Sequence, residues 1–248
     1  MLLKTNFRNR KGRNERMILK PWDSLPDYMR VPEVRPYYDL LKKHQISLVL
    51  KRLFDVIVSL MMLLVLWPFM ILIAIGIKLD SPGPALFLQE RVTTYGKHFK
   101  IWKFRTMVDN AEKIGSQITV SNDRRVTKFG RFLRSTRLDE VPQLVNILVG
   151  DMSYVGTRPE VVKYVEKYKP EFYATLLLPA GVTSEASIRY KDEYKLLDQA
   201  DDVDKVYIEQ VLPAKMVWNL NSIERFSFAR ELLTMIRTVF AVLGKEYY

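Results

Sequence analysis

At 248 residues and 48% hydrophobic content, the chain can build one sizeable core, and the absence of cysteine excludes disulfides and thiolate metal centres. Two histidines, His44 and His98, are too few and too far apart to suggest a zinc site. The net charge of +11 is concentrated at one end: residues 1–52 carry thirteen Lys/Arg against five Asp/Glu, a surplus of eight, which suits an anionic membrane surface, nucleic acid or a solvated tail.

In chain order, residues 1–50 form a basic N-terminal arm. Its first 36 residues, punctuated by Pro21, Pro26, Pro32 and Pro36, read as extended or poorly ordered. Val56 to Ile77 then holds no charged residue, long enough to span a bilayer as a helix. It is no secretory signal peptide, because it starts far from the N-terminus and no small-residue cleavage site precedes Asp80. Pro68 near its centre removes a backbone donor and clashes with the carbonyl of Leu64, so a kink is expected there. Lys51-Arg52 before the segment and Lys78 after it put positive charge at both ends, which favours keeping both on the cytoplasmic side. A re-entrant helix over 51–80, bent at Pro68, satisfies both features with arms of roughly 14–18 Å. An ordinary span with a tolerated kink and a buried core helix are the alternatives. Asp55, one turn on, is placed to pair with Lys51 and Arg52.

Residues 81–248 read as the main folded domain, on the same side as the positive ends of that helix. Ser81-Pro82-Gly83-Pro84 is a turn. Ala85–Val92 and His98–Thr106 are predicted strands of a small β-hairpin around Thr93–Lys97, with Lys103 and Arg105 on one face and Trp102 and Phe104 on the other. Two cations on one strand face suit a diphosphate; a solvated strand face is the plainer reading. Helices are predicted at Asp109–Ile114, Val126–Arg134, Val141–Val149 with Pro142 in its first turn and Gly150 at its end, and Glu160–Lys169. Asp151–Pro159 reads as a loop, Ser184–Tyr190 as a strand, and Asp198–Asp204 as an acidic lead into a helix. Phe226–Leu243 is an amphipathic C-terminal helix, for the core or the membrane interface.

Asp139-Glu140, with Arg134, Arg137 and Arg158 about them, stand out as a candidate site. Acids at a helix start balanced by arginines are ordinary helix chemistry. The same residues also suit phosphoryl transfer: a carboxylate can attack phosphorus and be displaced by a second phosphate, cations offset charge on the transferring group, and an adjacent carboxylate suits Mg²⁺.

The ordered motifs decide between these. Lys51-Arg52-x-x-Asp55, Gln89-x-Arg91, Lys103-Phe104-Arg105-Thr106-Met107, Asp123-x-Arg125-Val126-Thr127, Asp139-Glu140-x-Pro142-Gln143-Leu144 with Asn146, Gly150-Asp151-Met152-Ser153 and Val155-Gly156-x-Arg158-Pro159 together resemble the bacterial sugar transferases, or monotopic phosphoglycosyl transferases, from about Lys51 onward. The resemblance implies an α+β, helix-rich monotopic membrane protein with a Pro-broken re-entrant helix, at the cytoplasmic face of the bacterial inner membrane. It implies Asp139 as nucleophile on a UDP-sugar, Glu140 as ligand of a Mg²⁺ cofactor, and polyprenyl phosphate, such as undecaprenyl phosphate, as acceptor. Lys103, Arg105, Arg134 and Arg158 match the family's phosphate-contacting positions, and Lys51, Arg52, Asp55 and Pro68 its membrane helix.

Three departures stand out. Leu178-Pro179-Ala180-Gly181-Val182-Thr183-Ser184 replaces the usual Arg-Pro-Gly-Ile-Thr-Gly, keeping Gly181 and Thr183 and leading on to Glu185–Arg189; Gly181, Thr183 and Arg189 form the candidate substrate loop. Thr157 stands where a Pro precedes Arg158, and Trp67 rather than Ser precedes Pro68. The arm has no counterpart in the family's minimal form. A non-catalytic membrane scaffold for glycan-assembly enzymes is the competing class. Nucleic-acid binding is disfavoured by the hydrophobic segment and because the basic run of residues 1–20 carries a single aromatic, Phe7.

Overall fold

The computed structural model describes residues 19–111, 123–191, 200 and 202–242. It opens with two 3₁₀ turns, Trp22–Ser24 and Asp27–Met29, each preceded by a proline, and helix α1, Arg35–Lys43, with Pro36 in its first turn. This segment is not a loose arm. Leu19, Leu25, Met29, Val34, Tyr38 and Leu41 are buried in the largest core cluster beside Leu177, Leu212 and Met216. The expected extended arm is therefore corrected from residue 19 onward. Its prolines mark turn starts, and the apolar side chains between them follow neither helical nor strand spacing. Residues 1–18 lie outside the described residues.

Helix α2 runs from Gln45 to Asp80, beginning six residues before the predicted boundary. Its 36 residues span about 54 Å, well over the ~30 Å hydrocarbon thickness of a bilayer. Pro68 lies inside this one helix, with helical residues on both sides of it. Among the described residues it is the one helix long and apolar enough to cross a membrane. Leu64, Val65, Trp67, Phe69 and Leu72 are each more than half exposed, which rules out a soluble core helix. One narrow face does pack on the rest of the protein, and at both ends. Leu48, Lys51, Asp55 and Ser59 are buried near the start and Ile77 near the end. Between them, Leu63 and Leu66 meet the Phe99, Ile101 and Leu144 cluster, and Met70, Ile73 and Ala74 meet Phe104 and Leu133.

The hairpin is as predicted: β1, Leu86–Val92, pairs antiparallel with β2, His98–Phe104, with Val92 opposite His98 and Leu86 opposite Phe104. Helix α3, Lys128–Ser135, starts two residues later than expected, because Val126 bridges to Met107 and Thr127 caps the helix by accepting the Gly130 amide at 3.0 Å. Of the helix predicted at Asp109–Ile114, the described part Asp109–Ala111 is a turn, and the remainder lies outside the described residues. Helix α4, Gln143–Val149, ends at Gly150 in the left-handed region (φ +93°), where a side chain would be strained.

The next stretch departs most from expectation. Inside the predicted loop, Met152–Val155 forms β3, parallel to β4, Ala180–Thr183. The backbones then touch so closely that a Cβ on Gly181 would lie 2.1 Å from the Gly156 nitrogen. The strand predicted at Ser184–Tyr190 is instead a helix, α6, Glu185–Arg189, because the Ser184 hydroxyl accepts the Ser187 amide at 3.0 Å and starts a helical turn. Only Val162–Val165, α5, is α-helical within the predicted Glu160–Lys169 helix. The acidic lead into a helix is described only in part, with Asp202 capping α7, Val203–Val206. A π-helical turn, Tyr207–Val211, follows, then α8, Leu212–Glu224, and α9, Phe228–Val242.

The amphipathic C-terminal helix is present with its polarity turned outward. Thr234 is buried and Thr238 meets the Thr183 hydroxyl at 2.7 Å, while Leu233, Ile236, Val239 and Val242 stay exposed. A polar face toward protein and an apolar face outward suits a bilayer surface.

Candidate active site

Arg137, in the left-handed region (φ 59°), ends α3 and turns the chain into a 3₁₀ turn, Leu138–Glu140. The acids therefore sit on a tight turn ahead of α4 rather than in its first turn. They are held differently. Glu140 Oε1 accepts Arg158 Nη2 at 2.5 Å and Lys103 Nζ at 3.4 Å. The Asp139 carboxylate is 8% exposed and accepts no hydrogen bond from the described residues.

Their electrostatics diverge accordingly. Burial raises the Asp139 pKa and the neighbouring Glu140 raises it further, against the pull of Lys103, Arg134 and Arg137. Burial also acts on Glu140, but Arg158, Lys103 and Arg137 outweigh it and hold that carboxyl far below the usual range. Burial pushes the Lys103 ammonium down to about 8 against Glu140, with Arg158 and Arg91 adding to the effect. One acid is thus a fixed charge, while burial disfavours the charged form of the other, in a ring of cations.

Each cation arrives on a different element. Lys103 comes from β2 and Arg134 from α3, where its Nε donates to Thr106 Oγ1 at 3.0 Å. Arg158 comes from the loop after β3, which is braced behind the site. Arg91 Nη1 donates to the Pro159 carbonyl at 3.1 Å, Val92 N donates to the Glu160 carbonyl at 3.0 Å, and the Tyr207 hydroxyl donates to Glu160 Oε1 at 2.6 Å. The π-helical turn presents Tyr207 for that bond.

Arg105 stands apart. Its Nη1 donates to the Pro82 carbonyl at 2.7 Å, and its Nη2 to the Ser81 carbonyl at 2.7 Å and hydroxyl at 2.9 Å, so it pins the turn after α2. In the candidate substrate loop, Gly181 serves the close β3–β4 approach and Thr183 faces α9. From that loop the Val182 carbonyl meets the site, accepting Arg158 Nη1 at 3.5 Å. Arg189 lies over the Trp218 ring, 3.8 Å from its centroid.

The membrane-helix residues brace the site from below. Lys51 Nζ donates to the Val155 carbonyl at 2.6 Å and pairs with Glu231 of α9. Arg52 donates to the Ile147 and Leu148 carbonyls at 2.7 and 2.8 Å, capping the C-terminal end of α4. Asp55, expected to pair with these cations, instead accepts the Tyr154 amide at 3.2 Å.

A sequence profile described as bacterial sugar transferase matches residues 46–245. The chain belongs to this family. Among its relatives, the UDP-glucose:undecaprenyl-phosphate glucose-1-phosphate transferase of Escherichia coli is 39% identical over 188 residues, covering 73% of this chain and 40% of that protein. The UDP-N-acetylgalactosamine-undecaprenyl-phosphate N-acetylgalactosaminephosphotransferase of Aeromonas hydrophila is 33% identical over 198 residues, 78% of this chain and 44% of that one. The exopolysaccharide production protein PSS of Rhizobium leguminosarum is 44% identical over 150 residues, 58% and 75%. The chain spans about two fifths of the Escherichia coli relative's length.

Two supports of the site carry no local signal in the sequence. Tyr207 is 47 residues from Glu160, and Glu231 is 180 residues from Lys51. Gln143, in the dyad motif, is fully buried with neither amide atom hydrogen-bonded.

Proposed function

We propose that this sugar transferase moves a sugar 1-phosphate from a UDP-sugar to a polyprenyl phosphate, as a first step in bacterial surface-glycan assembly. The observation that carries this reading is the division within the dyad: Glu140 is clamped by Arg158 and Lys103, while the buried Asp139 carboxylate accepts no hydrogen bond from the described residues. An Asp139 oxygen attacks the sugar-bearing phosphorus. The bond from that phosphorus to the bridging oxygen breaks, and UMP leaves with the electron pair. An oxygen of polyprenyl phosphate then attacks the same phosphorus, breaking the acyl-phosphate bond and restoring the carboxylate. Lys103, Arg134 and Arg158 offset the charge of the transferring group throughout.

The donor set fits Mg²⁺ as an ion shared with substrate. Magnesium takes one or two carboxylates and completes its sphere with phosphate oxygens and water; the described residues offer no cluster of three or more candidate ligands, and both bonds to Glu140 fall on Oε1, leaving Oε2 for a cation. Bound there, it would supply further positive charge to the diphosphate. Relatives are named for glucose and for N-acetylgalactosamine, so the sugar is to be found by trial. Incubating the protein with a panel of UDP-sugars and Mg²⁺, without acceptor, is expected to release about one UMP per enzyme and leave phosphosugar on the protein. Release of UDP instead, or none with any donor, would sink the reading.

We also infer that both ends of α2 lie on the cytoplasmic side of the inner membrane. Lys51 and Asp55 near one end, and Ile77 near the other, are buried against the same folded domain, which cannot occupy both sides of a bilayer. The middle of α2 and the apolar face of α9 supply the lipid contact. Single cysteines at positions 46 and 79, treated with a membrane-impermeant thiol reagent in inverted vesicles, are expected to label equally. Labelling of one alone means a true span.

A further inference from the structure

A cavity of about 530 Å³ lies between α8, α9, α6 and the loop Val155–Thr157, one residue along the chain from Arg158. That is the size of a small-molecule site. Its walls are rich in guanidinium groups. Of these, Arg237 is neutralised by Glu185, and the wall carboxylate Glu231 is already taken by Lys51. Arg189, Arg225 and Arg230 have no carboxylate partner among the described residues. Arg189 lies over the Trp218 ring, a cation–π contact at 3.8 Å from the centroid. In the same wall, Asn219 is 4% exposed and its Oδ1 has no hydrogen-bond partner among the described residues, a buried acceptor that a ligand or water would satisfy.

The cavity also has an apolar exit. Leu233 lines it and is 45% exposed, and from there Ile236, Val239 and Val242 continue the outward face of α9 at helical spacing. Surplus positive charge opening onto an exposed hydrophobic stripe is complementary to one ligand chemistry: a phosphate carried on a long hydrocarbon chain.

We propose that this cavity binds the phosphate head of a lipid, with Arg225 and Arg230 contacting the phosphate and the chain lying along Leu233–Val242. The inference extends the transferase reading, in which such a molecule is the acceptor. Bulk anionic phospholipid presents the same chemistry, and the experiment separates the two. The full chain in detergent micelles is compared with Arg225→Gln/Arg230→Gln and with Lys42→Gln/Lys43→Gln, which removes the same charge from exposed positions on α1. If the cavity receives the acceptor, the arginine pair raises the KM for undecaprenyl phosphate about tenfold. UMP release in the absence of acceptor and the KM for the UDP-sugar stay unchanged, and the lysine pair does neither. If it receives phospholipid, the arginine pair instead weakens binding to phosphatidylglycerol vesicles about tenfold more than the lysine pair does. Both results support the site. A rise in the UDP-sugar KM, or equal behaviour of the two variants in both assays, overturns it. The vesicle arm reads the site even if no donor yields UMP, so failure of the catalytic reading is seen separately.

Discussion

Asp139→Asn is expected to lower UMP release from the cognate UDP-sugar by about four orders of magnitude while leaving the protein folded. The amide keeps the shape of the side chain but cannot form the acyl phosphate, and no described group depends on the carboxylate for a hydrogen bond. Stability gives an independent readout with the opposite sign. Because burial raises the folded-state pKa of Asp139 above its unfolded value, the folded protein binds the extra proton between the two. The contribution of this group is therefore fully present below the unfolded pKa and is lost as pH rises through the folded one. At neutral pH the charged aspartate is a burden on folding that asparagine relieves. A thermal melt at pH 7 should place the variant at or above the parent. A variant that melts lower, or that turns over normally, contradicts the assignment of this residue as a nucleophile held in a dry site.

Lys51→Ala is expected to destabilise the protein by about 3–5 kcal/mol, the usual cost of breaking a buried pair from one side. Its ammonium is 6% exposed, its partner Glu231 is 14% exposed, and it also satisfies the Val155 carbonyl. Removing it leaves Glu231 as an unpaired carboxylate in a place where burial already raises its pKa. Lys51→Met/Glu231→Leu removes both charges and should recover most of the loss, since an apolar pair of similar volume avoids the desolvation of two ions. Denaturant titration of the two variants and the parent in one detergent checks this. If the double variant falls as far as the single one, the Val155 carbonyl contact that ties α2 to β3, not the ion pair with α9, carries the stability.

How much of this was legible beforehand varied with the range of the interaction. The hairpin was readable because its determinants are local: alternation in both strands and a turn ending at Gly96. The cations about the dyad were visible through the ordered motifs, which carry long-range geometry that spacing alone does not. The parallel pair β3–β4 was not, because each strand has only four residues and the partners are 28 residues apart. Ser184–Tyr190 was misread since a five-residue helix also alternates when one face meets protein; the capping serine was the better signal. Arg105 shares a strand face with Lys103 in an ideal register, but β2 ends at Phe104 and frees it to bind the turn at Ser81. The N-terminal segment was undervalued because its apolar residues reach a core built largely from the last third of the chain.

The long helix does more than hold the protein to a surface. Leu63 and Leu66 complete one hydrophobic cluster, Met70, Ile73 and Ala74 another, and Arg52 closes the end of α4. A fragment cut after Asp80 would lose a wall of its own interior, not a tether. The surface that meets lipid and the wall that closes the interior around the two acids are thus opposite faces of one helix, and a change on either face is felt on the other.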